Sequence, residues 1–278
     1  MAAGVTHRFD ADTAVAPQGG GVYTAVCSPD WAVPMGGPNG GYVAAILARA
    51  VLEEVPEAER RLRSLSVQFV RPPRAGHELR ITVVAERLGR SVTNLTVRAE
   101  QDGRLMALGI ALAALDQPVA LDFATAPPQL PPADEVPTRP HHEQMPPIAA
   151  RYLVKPCLGP EMFSGADIAL SGGWIRLEDP RPFDALAAVA YLDAWLPAPF
   201  TRTTTPVRAP TLDYTVHIRD HLPPEGLDPA AFLMIRMSAS TSAQGFFEGD
   251  CEIWSPDGVL LGQARQLALL APFTPPAA

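Results

Sequence analysis

The longest apolar signal in the chain lies at Met35–Glu54, MGGPNGGYVAAILARAVLEE. Tyr42 through Ala48 carries no charge, and charges enter only at Arg49, Glu53 and Glu54. A helix that is apolar on every side is a buried one, so this stretch predicts a central helix. Asn39 suits its N-cap, because the side-chain oxygen can accept from the free amides of the first turn. Gly36, Gly37, Gly40 and Gly41 surround Pro38 and Asn39. Glycines allow another group close to the backbone, and an open helix start can hold a carbonyl oxygen or an anion. The plainer alternative is a core helix entered through a tight turn. The spacing GGPNGG is not GxGxxG, so a dinucleotide fingerprint is not met.

Alternating runs follow. Leu65, Val67 and Phe69 alternate with Ser66, Gln68 and Val70. Leu79, Ile81, Val83 and Ala85 alternate with Arg80, Thr82, Val84 and Glu86, and Leu95, Val97 and Ala99 with more polar neighbours. Period-two alternation predicts strands with one buried face. Asp102-Gly103 is a hairpin signal, and Arg104–Leu115 beyond it is apolar on both faces, as a central strand would be. With a strand over Gly20–Ser28, the first half reads strand, helix, four antiparallel strands.

Residues 117–150 are dense in proline, which forbids regular structure and favours an extended linker. His141 and His142 lie there, and adjacent histidines without converging partners are poor metal ligands. The second half then repeats the first. Pro182–Trp195, PFDALAAVAYLDAW, is another apolar helix. Tyr214–Ile218 lies on Leu65–Phe69, and Gly245–Leu270, with its Asp257-Gly258 turn, repeats the closing hairpin. The unit is one long helix plus a five-stranded antiparallel sheet. Two such units, 1–116 and 151–278, are expected to join at an open sheet edge.

Composition narrows the function classes. Hydrophobic residues make up 47% and charged residues 19% of the 278 positions, which indicates a well-packed globular chain. A net charge of -8 argues against nucleic acid. No apolar run reaches membrane-spanning length, and the N-terminus lacks a signal-peptide core, so a cytoplasmic protein is expected. Cys27, Cys157 and Cys251 are far apart and fit reduced thiols; no CxxC pair suggests zinc. No metal or cofactor is expected. GxSxG is absent, so an α/β-hydrolase elbow has no support.

The stretches PDWAVPMGGPNGGYVAA, LRSLSVQFVRPPRAG, AYLDAW, PTLDYTVHIRD, QGFFEGDCEIWSPDG and LLGQARQLAL, in this order, resemble the acyl-CoA thioesterase II-like family of double hot-dog proteins. The resemblance implies an α+β double hot-dog fold, each repeat a long central helix wrapped by a five-stranded antiparallel sheet. It implies hydrolysis of acyl-CoA by an activated water, without a covalent intermediate, in a homo-oligomer of lipid metabolism. It places the water-holding aspartate at Asp193, the threonine at Thr211 and the glutamine at Gln266. The family also sets a hot-dog dehydratase aside, since no convincing Asp–His pair is present.

The residues are coherent with that chemistry and leave plainer roles open. Asp193 continues the stripe Leu186, Val189, Ala190, where a buried acid needs partners or a task; it could instead be a solvated acid at a helix end. Gln266 shares a strand face with Leu260, Gly262, Ala264, Ala268 and Leu270 and must find a hydrogen-bond partner there, catalytic or structural. In the first repeat Leu62 stands where Thr211 does and Ala111 where Gln266 does, so one catalytic set is expected. The main-chain amides of Asn39, Gly40 and Gly41 are candidate oxyanion donors. His217 reads as a polar strand residue, and Arg71 and Arg74 are candidate contacts for CoA. The competing reading is a non-catalytic acyl-CoA or lipid-binding module.

Overall fold

The computed structural model describes residues 7–34, 37–57 and 59–273; Met35 and Gly36 lie outside them. The first half runs α1 (Arg8–Asp12), β1 (Ala16–Gly19), β2 (Val22–Val26), α2 (Gly40–Glu53), β3 (Arg61–Phe69), β4 (Glu78–Leu88), β5 (Val92–Gln101) and β6 (Arg104–Ala114). The second half runs β7 (Tyr152–Leu158), β8 (Ala169–Leu177), α3 (Ala185–Tyr191), β9 (Val207–Arg208), β10 (Thr211–Ile218), β11 (Leu233–Ala239), β12 (Ser242–Ala243), β13 (Phe246–Trp254), β14 (Leu260–Leu269) and β15 (Ala271–Pro272).

Among the described residues one antiparallel sheet runs in the order β1-β2-β4-β5-β6-β3-β10-β14-β13-β11-β8-β7, with β12 beside β13. The second half is the first in reverse order, so the halves meet edge to edge at β3 and β10. Tyr214 pairs with Val67 there, and the Ser66 and Thr215 hydroxyls lie 2.9 Å apart. The duplication extends to register. Leu65 opposes Ala111 in the first half as Tyr214 opposes Gln266 in the second. Each half also carries a bulge at the same place, between Leu62 and Ser64 and between Thr211 and Asp213.

α2 and α3 pack together on the inner face of this sheet. α2 is buried from Gly41 to Ala48, and Asn39 caps it, its Oδ1 accepting from the Tyr42 N–H at 3.0 Å. Trp31 stacks on Tyr42 with ring centroids 4.8 Å apart. The inward strand residues Leu65, Val67, Leu79, Ile81, Leu95 and Ala99 are all fully buried. Each of the leucine, isoleucine and valine side chains among them contributes roughly 1.5–3 kcal/mol by leaving water.

Three expectations need correction. The second helix is much shorter than Pro182–Trp195. It starts at Ala185 because the Asp184 side chain caps the Ala187 N–H at 2.9 Å. It ends at Tyr191 because the Asp193 and Ala194 amides turn back three residues, to Ala190 O and Tyr191 O, tightening the last turn. The proline-dense linker holds no helix or strand from 117 to 146, as expected, and it packs on the sheet. Leu130, Ala133 and Val136 pack with Trp174, Met234, Trp254 and Leu260 on the outward face of the second-half sheet, and the Trp174 Nε1 donates to Pro131 O at 2.9 Å. β6 is central, yet its outward face is open, with Ile110 62% exposed. Each half gives six strands to the sheet order, not the expected five, because the edge strands β1 and β7 do not stand out in the pattern. Each carries a proline, Pro17 or Pro156, which an edge tolerates.

Candidate active site

Asp193 stands in the tightened turn that ends α3, on the side where Val189 and Ala190 meet the start of α2. Oδ2 accepts the Gly41 main-chain N–H at 2.7 Å and the Asn39 Nδ2 at 3.0 Å. The same Nδ2 donates to the Asp193 main-chain oxygen at 3.0 Å. Asn39 Oδ1 is bound to the Tyr42 amide, so both ends of the Asn39 side chain are assigned by their partners. Two glycines permit the approach. A Cβ on Gly41 would lie 2.7 Å from Asp193 Cβ and 2.9 Å from Ala190 O; one on Gly40 would lie 3.0 Å from Asp193 Oδ2.

Asp193 keeps part of its surface open, but its carboxyl is desolvated and its pKa is pushed up to about 6. Burial raises it, and the hydrogen bonds from Gly41 and Asn39 pull it back only in part. The acid is therefore neither solvated at a fraying end nor locked in an ion pair.

Thr211 and Gln266 come together. The Thr211 hydroxyl donates to Gln266 Oε1 at 2.8 Å. Thr211 stands three residues before the inward Tyr214, and strict alternation would turn it outward. The bulge between Thr211 and Asp213 returns it to the inner face. Gln266 is 5% exposed between the inward Ala264 and Ala268, as the alternation predicts. Because Oε1 accepts from Thr211, the amide nitrogen points its N–H groups elsewhere, beside Gly249, where a Cβ would lie 3.4 Å from it. Among the described residues no hydrogen bond joins this pair to Asp193. Tyr214 bridges them: its backbone opposes Gln266, and its hydroxyl donates to Val189 O on α3 at 2.7 Å.

The candidate oxyanion donors are differently engaged. The Asn39 amide donates to Trp31 O at 2.9 Å and that of Gly41 to Asp193, so two of the three are occupied. The Gly40 N–H has no partner among the described residues. What sequence reasoning missed is the side chain of Asn39, which reaches Asp193 across 154 positions; its cap role was visible, its second role was not. Tyr152 was missed too. Its ring stands edge-on to Trp31 at 5.8 Å and Tyr191 at 5.4 Å, and its buried hydroxyl has no partner among the described residues.

Other candidates lie apart. Arg71 donates to Leu105 O at 3.0 Å and Arg74 pairs with Asp102. His217 faces outward on β10, and His141 and His142 are exposed. Cys27, Cys157 and Cys251 are free. Among the described residues no helix is long and apolar enough to cross a membrane.

Comparison with known proteins joins these observations. The acyl-CoA thioesterase N-terminal domain matches residues 28–114, and the acyl-CoA thioesterase C-terminal domain matches residues 127–270. A conserved protein of unknown function with a hot-dog fold from Alicyclobacillus acidocaldarius is 26% identical, with a TM-score of 0.85 over 97% of this chain and 100% of that one. A proposed thioesterase II from Thermobifida fusca is also 26% identical, with a TM-score of 0.81 over 96% and 99%. An acyl-CoA thioesterase II from Mycobacterium marinum shares the fold at 19% identity, with a TM-score of 0.76 over 96% and 99%. No curated protein matches the chain. With both domains matched in order, and with an α+β hot-dog architecture, the chain belongs to the acyl-CoA thioesterase family.

Proposed function

We propose that the protein hydrolyses acyl-CoA thioesters to the free acid and CoA through a water that Asp193 deprotonates, with no acyl-enzyme intermediate. The water oxygen forms the new bond to the thioester carbonyl carbon while its proton passes to Asp193. The tetrahedral species then collapses, the C–S bond breaks, and the CoA sulfur leaves with the proton that Asp193 returns. A thiolate leaves without strong acid assistance, so the activated nucleophile is the part the protein must supply.

The observation that carries this reading is the setting of Asp193, a carboxylate in the interior whose Oδ2 is held by the Gly41 N–H and the Asn39 side-chain amide. Its pKa of about 6 makes it ionised at neutral pH yet far more basic than an ordinary carboxylate. A base near the working pH is the effective one, and positioned bases contribute about 10²–10⁴-fold. Thr211 and Gln266 orient the same water in this scheme, with the Gln266 N–H groups as donors. The Gly40 N–H is the donor for the developing oxyanion. Asn39 and Gly41 serve Asp193 itself. Each half is read as one hot-dog unit, the second keeping only a short helix. The first half holds Leu62 and Ala111 at the Thr211 and Gln266 positions, so the chain carries one catalytic set. Association into a homo-oligomer is part of the same reading, from family likeness.

Release of CoA from a panel of acyl-CoA esters, followed with a thiol reagent for wild type and Asp193→Asn, tests it. The expected result is turnover of some member by wild type and a loss of about 10²-fold or more in the variant. Binding without turnover would favour the non-catalytic module instead.

A further inference from the structure

A second concave feature lies beside the segment that carries Asp193. A cleft of about 400 Å³ opens between the linker, β7 with the turn after it, β8 and Trp195. Pro156, Cys157, Leu158, Pro160, Met162 and Trp195 give it apolar walls. Ser171 and Gly172 form a buried floor, and the Ser171 hydroxyl donates to Leu196 O at 3.4 Å, fixing the floor to the segment after Asp193. Trp195 stands two residues past Asp193, so one short segment serves both the cleft and the acid.

The charged residues lining it are Arg139 and Glu161. Glu161 is exposed at the rim and makes no ion pair with Arg139. Arg139 is half-buried and anchored by its own backbone, whose N–H donates to Val154 O on β7 at 2.8 Å. Its guanidinium has no hydrogen bond or ion pair among the described residues, whereas Arg49, Arg60, Arg181 and Arg236 all meet carboxylates. Burial lowers its pKa, and no neighbouring carboxylate offsets this. A partly desolvated cation without a counter-ion is unfavourable in the free protein and favourable once an anion arrives. The planar fork of a guanidinium matches a carboxylate or a phosphate two bonds at a time.

We propose that this cleft is a subsite for an anionic group of the thioester substrate, with Arg139 as its counter-ion. The proposal rests on the thioesterase reading above. A volume of this order suits one part of a substrate, a short chain ending in an oxyanion. Two parts of a substrate answer to that description: the phosphate-bearing end of the pantetheine arm, and an acyl chain with a carboxylate at its far end.

The test uses Arg139→Ala and Arg139→Gln in the full chain, the second keeping most of the side-chain packing. Binding of CoA and of an ω-carboxyacyl-CoA is measured by calorimetry, which needs no turnover. KM and kcat are measured for a saturated acyl-CoA, its ω-carboxy counterpart, and the N-acetylcysteamine thioester of the saturated acid, which has no phosphate. If the anion is the phosphate, both variants weaken CoA binding and raise KM for both CoA esters about tenfold or more, with kcat and the N-acetylcysteamine ester unchanged. If it is the acyl carboxylate, only the ω-carboxyacyl-CoA loses. Unchanged binding and KM throughout, or an equal loss on the phosphate-free monoester, overturns the proposal. Should wild type bind CoA through Arg139 yet hydrolyse none of the esters, the subsite stands and the hydrolytic reading falls.

Discussion

The Gly41 main-chain N–H donates to Asp193 Oδ2 at 2.7 Å, so the first turn of α2 in one half holds the acid of the other. The helix start is an electropositive end with unsatisfied amides. The anion it receives is a side chain of the same protein. That placement keeps the carboxylate out of bulk water while giving it donors, and the net effect is a pKa of about 6.

Activity is therefore expected to follow the ionisation of Asp193. Below about pH 6 kcat/KM should rise close to tenfold per unit, and above it should level off. Asp193→Asn should be slow and flat across the same range. Stability moves the other way. The folded pKa lies above the ordinary value of 3.8, so between the two the native state binds more protons than the unfolded one. The stability this gives is present below the lower value and is lost as pH rises through the upper, by on the order of 3 kcal/mol. An asparagine oxygen can accept the same two donors without a charge. Asp193→Asn should thus be at least as stable as wild type at neutral pH, and its denaturation midpoint should lack the decline. A variant that melts well below wild type would contradict the assigned geometry.

Gly41→Ala tests the closeness of the two helix ends. The new Cβ would meet backbone, Ala190 O at 2.9 Å and Val189 O at 3.2 Å, as well as Asp193 Cβ at 2.7 Å. Backbone cannot swing aside as a side-chain tip can, so α2 and α3 must part. A cost of about 1–3 kcal/mol is expected, along with a loss of turnover, because the Asp193 acceptor moves off the Gly41 amide. Gly40→Ala meets Asp193 Oδ2 at 3.0 Å and the Phe69 ring at 3.3 Å, both side chains, and should cost less stability. Thermal denaturation of the pair checks the order.

Much of this was legible in local pattern. Asn39 capping, the buried run of α2 and the inward face of Gln266 follow from spacing over a few residues, and the correspondence of Leu65 with Tyr214 follows from the repeat of that spacing in the second half. The features that failed depend on distant partners. The bulge that turns Thr211 inward is a mismatch between β10 and β14, which neither strand states alone. The early end of α3 leaves its apolar periodicity intact, so period alone overestimates its length. The two partners of the Asp193 carboxylate lie more than 150 positions away.

Tyr152 offers a stability test. Its hydroxyl is buried with no partner among the described residues, and both burial and the nearby Asp193 carboxylate oppose its ionisation. An unsatisfied buried hydroxyl costs about 1–3 kcal/mol. Tyr152→Phe keeps the edge-on contacts with Trp31 and Tyr191 and removes only the oxygen. The variant should melt at or above the wild-type temperature. A clear drop would mean that the hydroxyl has a partner in solution.

Thr211→Val separates orientation from packing. The two side chains have nearly the same shape, so packing changes little, but the buried Gln266 Oε1 loses its donor and stability should fall by about 1–3 kcal/mol. The hydrogen bond to Gln266 Oε1 is lost. The amide is then free to rotate, and its N–H groups no longer have one fixed direction. Misplacement of a positioning group by an ångström can cost about 10²-fold, so kcat should fall by about 10–10²-fold with little change in KM. Thr211→Ser keeps the donor and loses only a methyl group, and it should recover most of the rate. If valine keeps the rate and serine loses it, the Thr211 hydroxyl has no part in holding Gln266, and the methyl group is what the site requires.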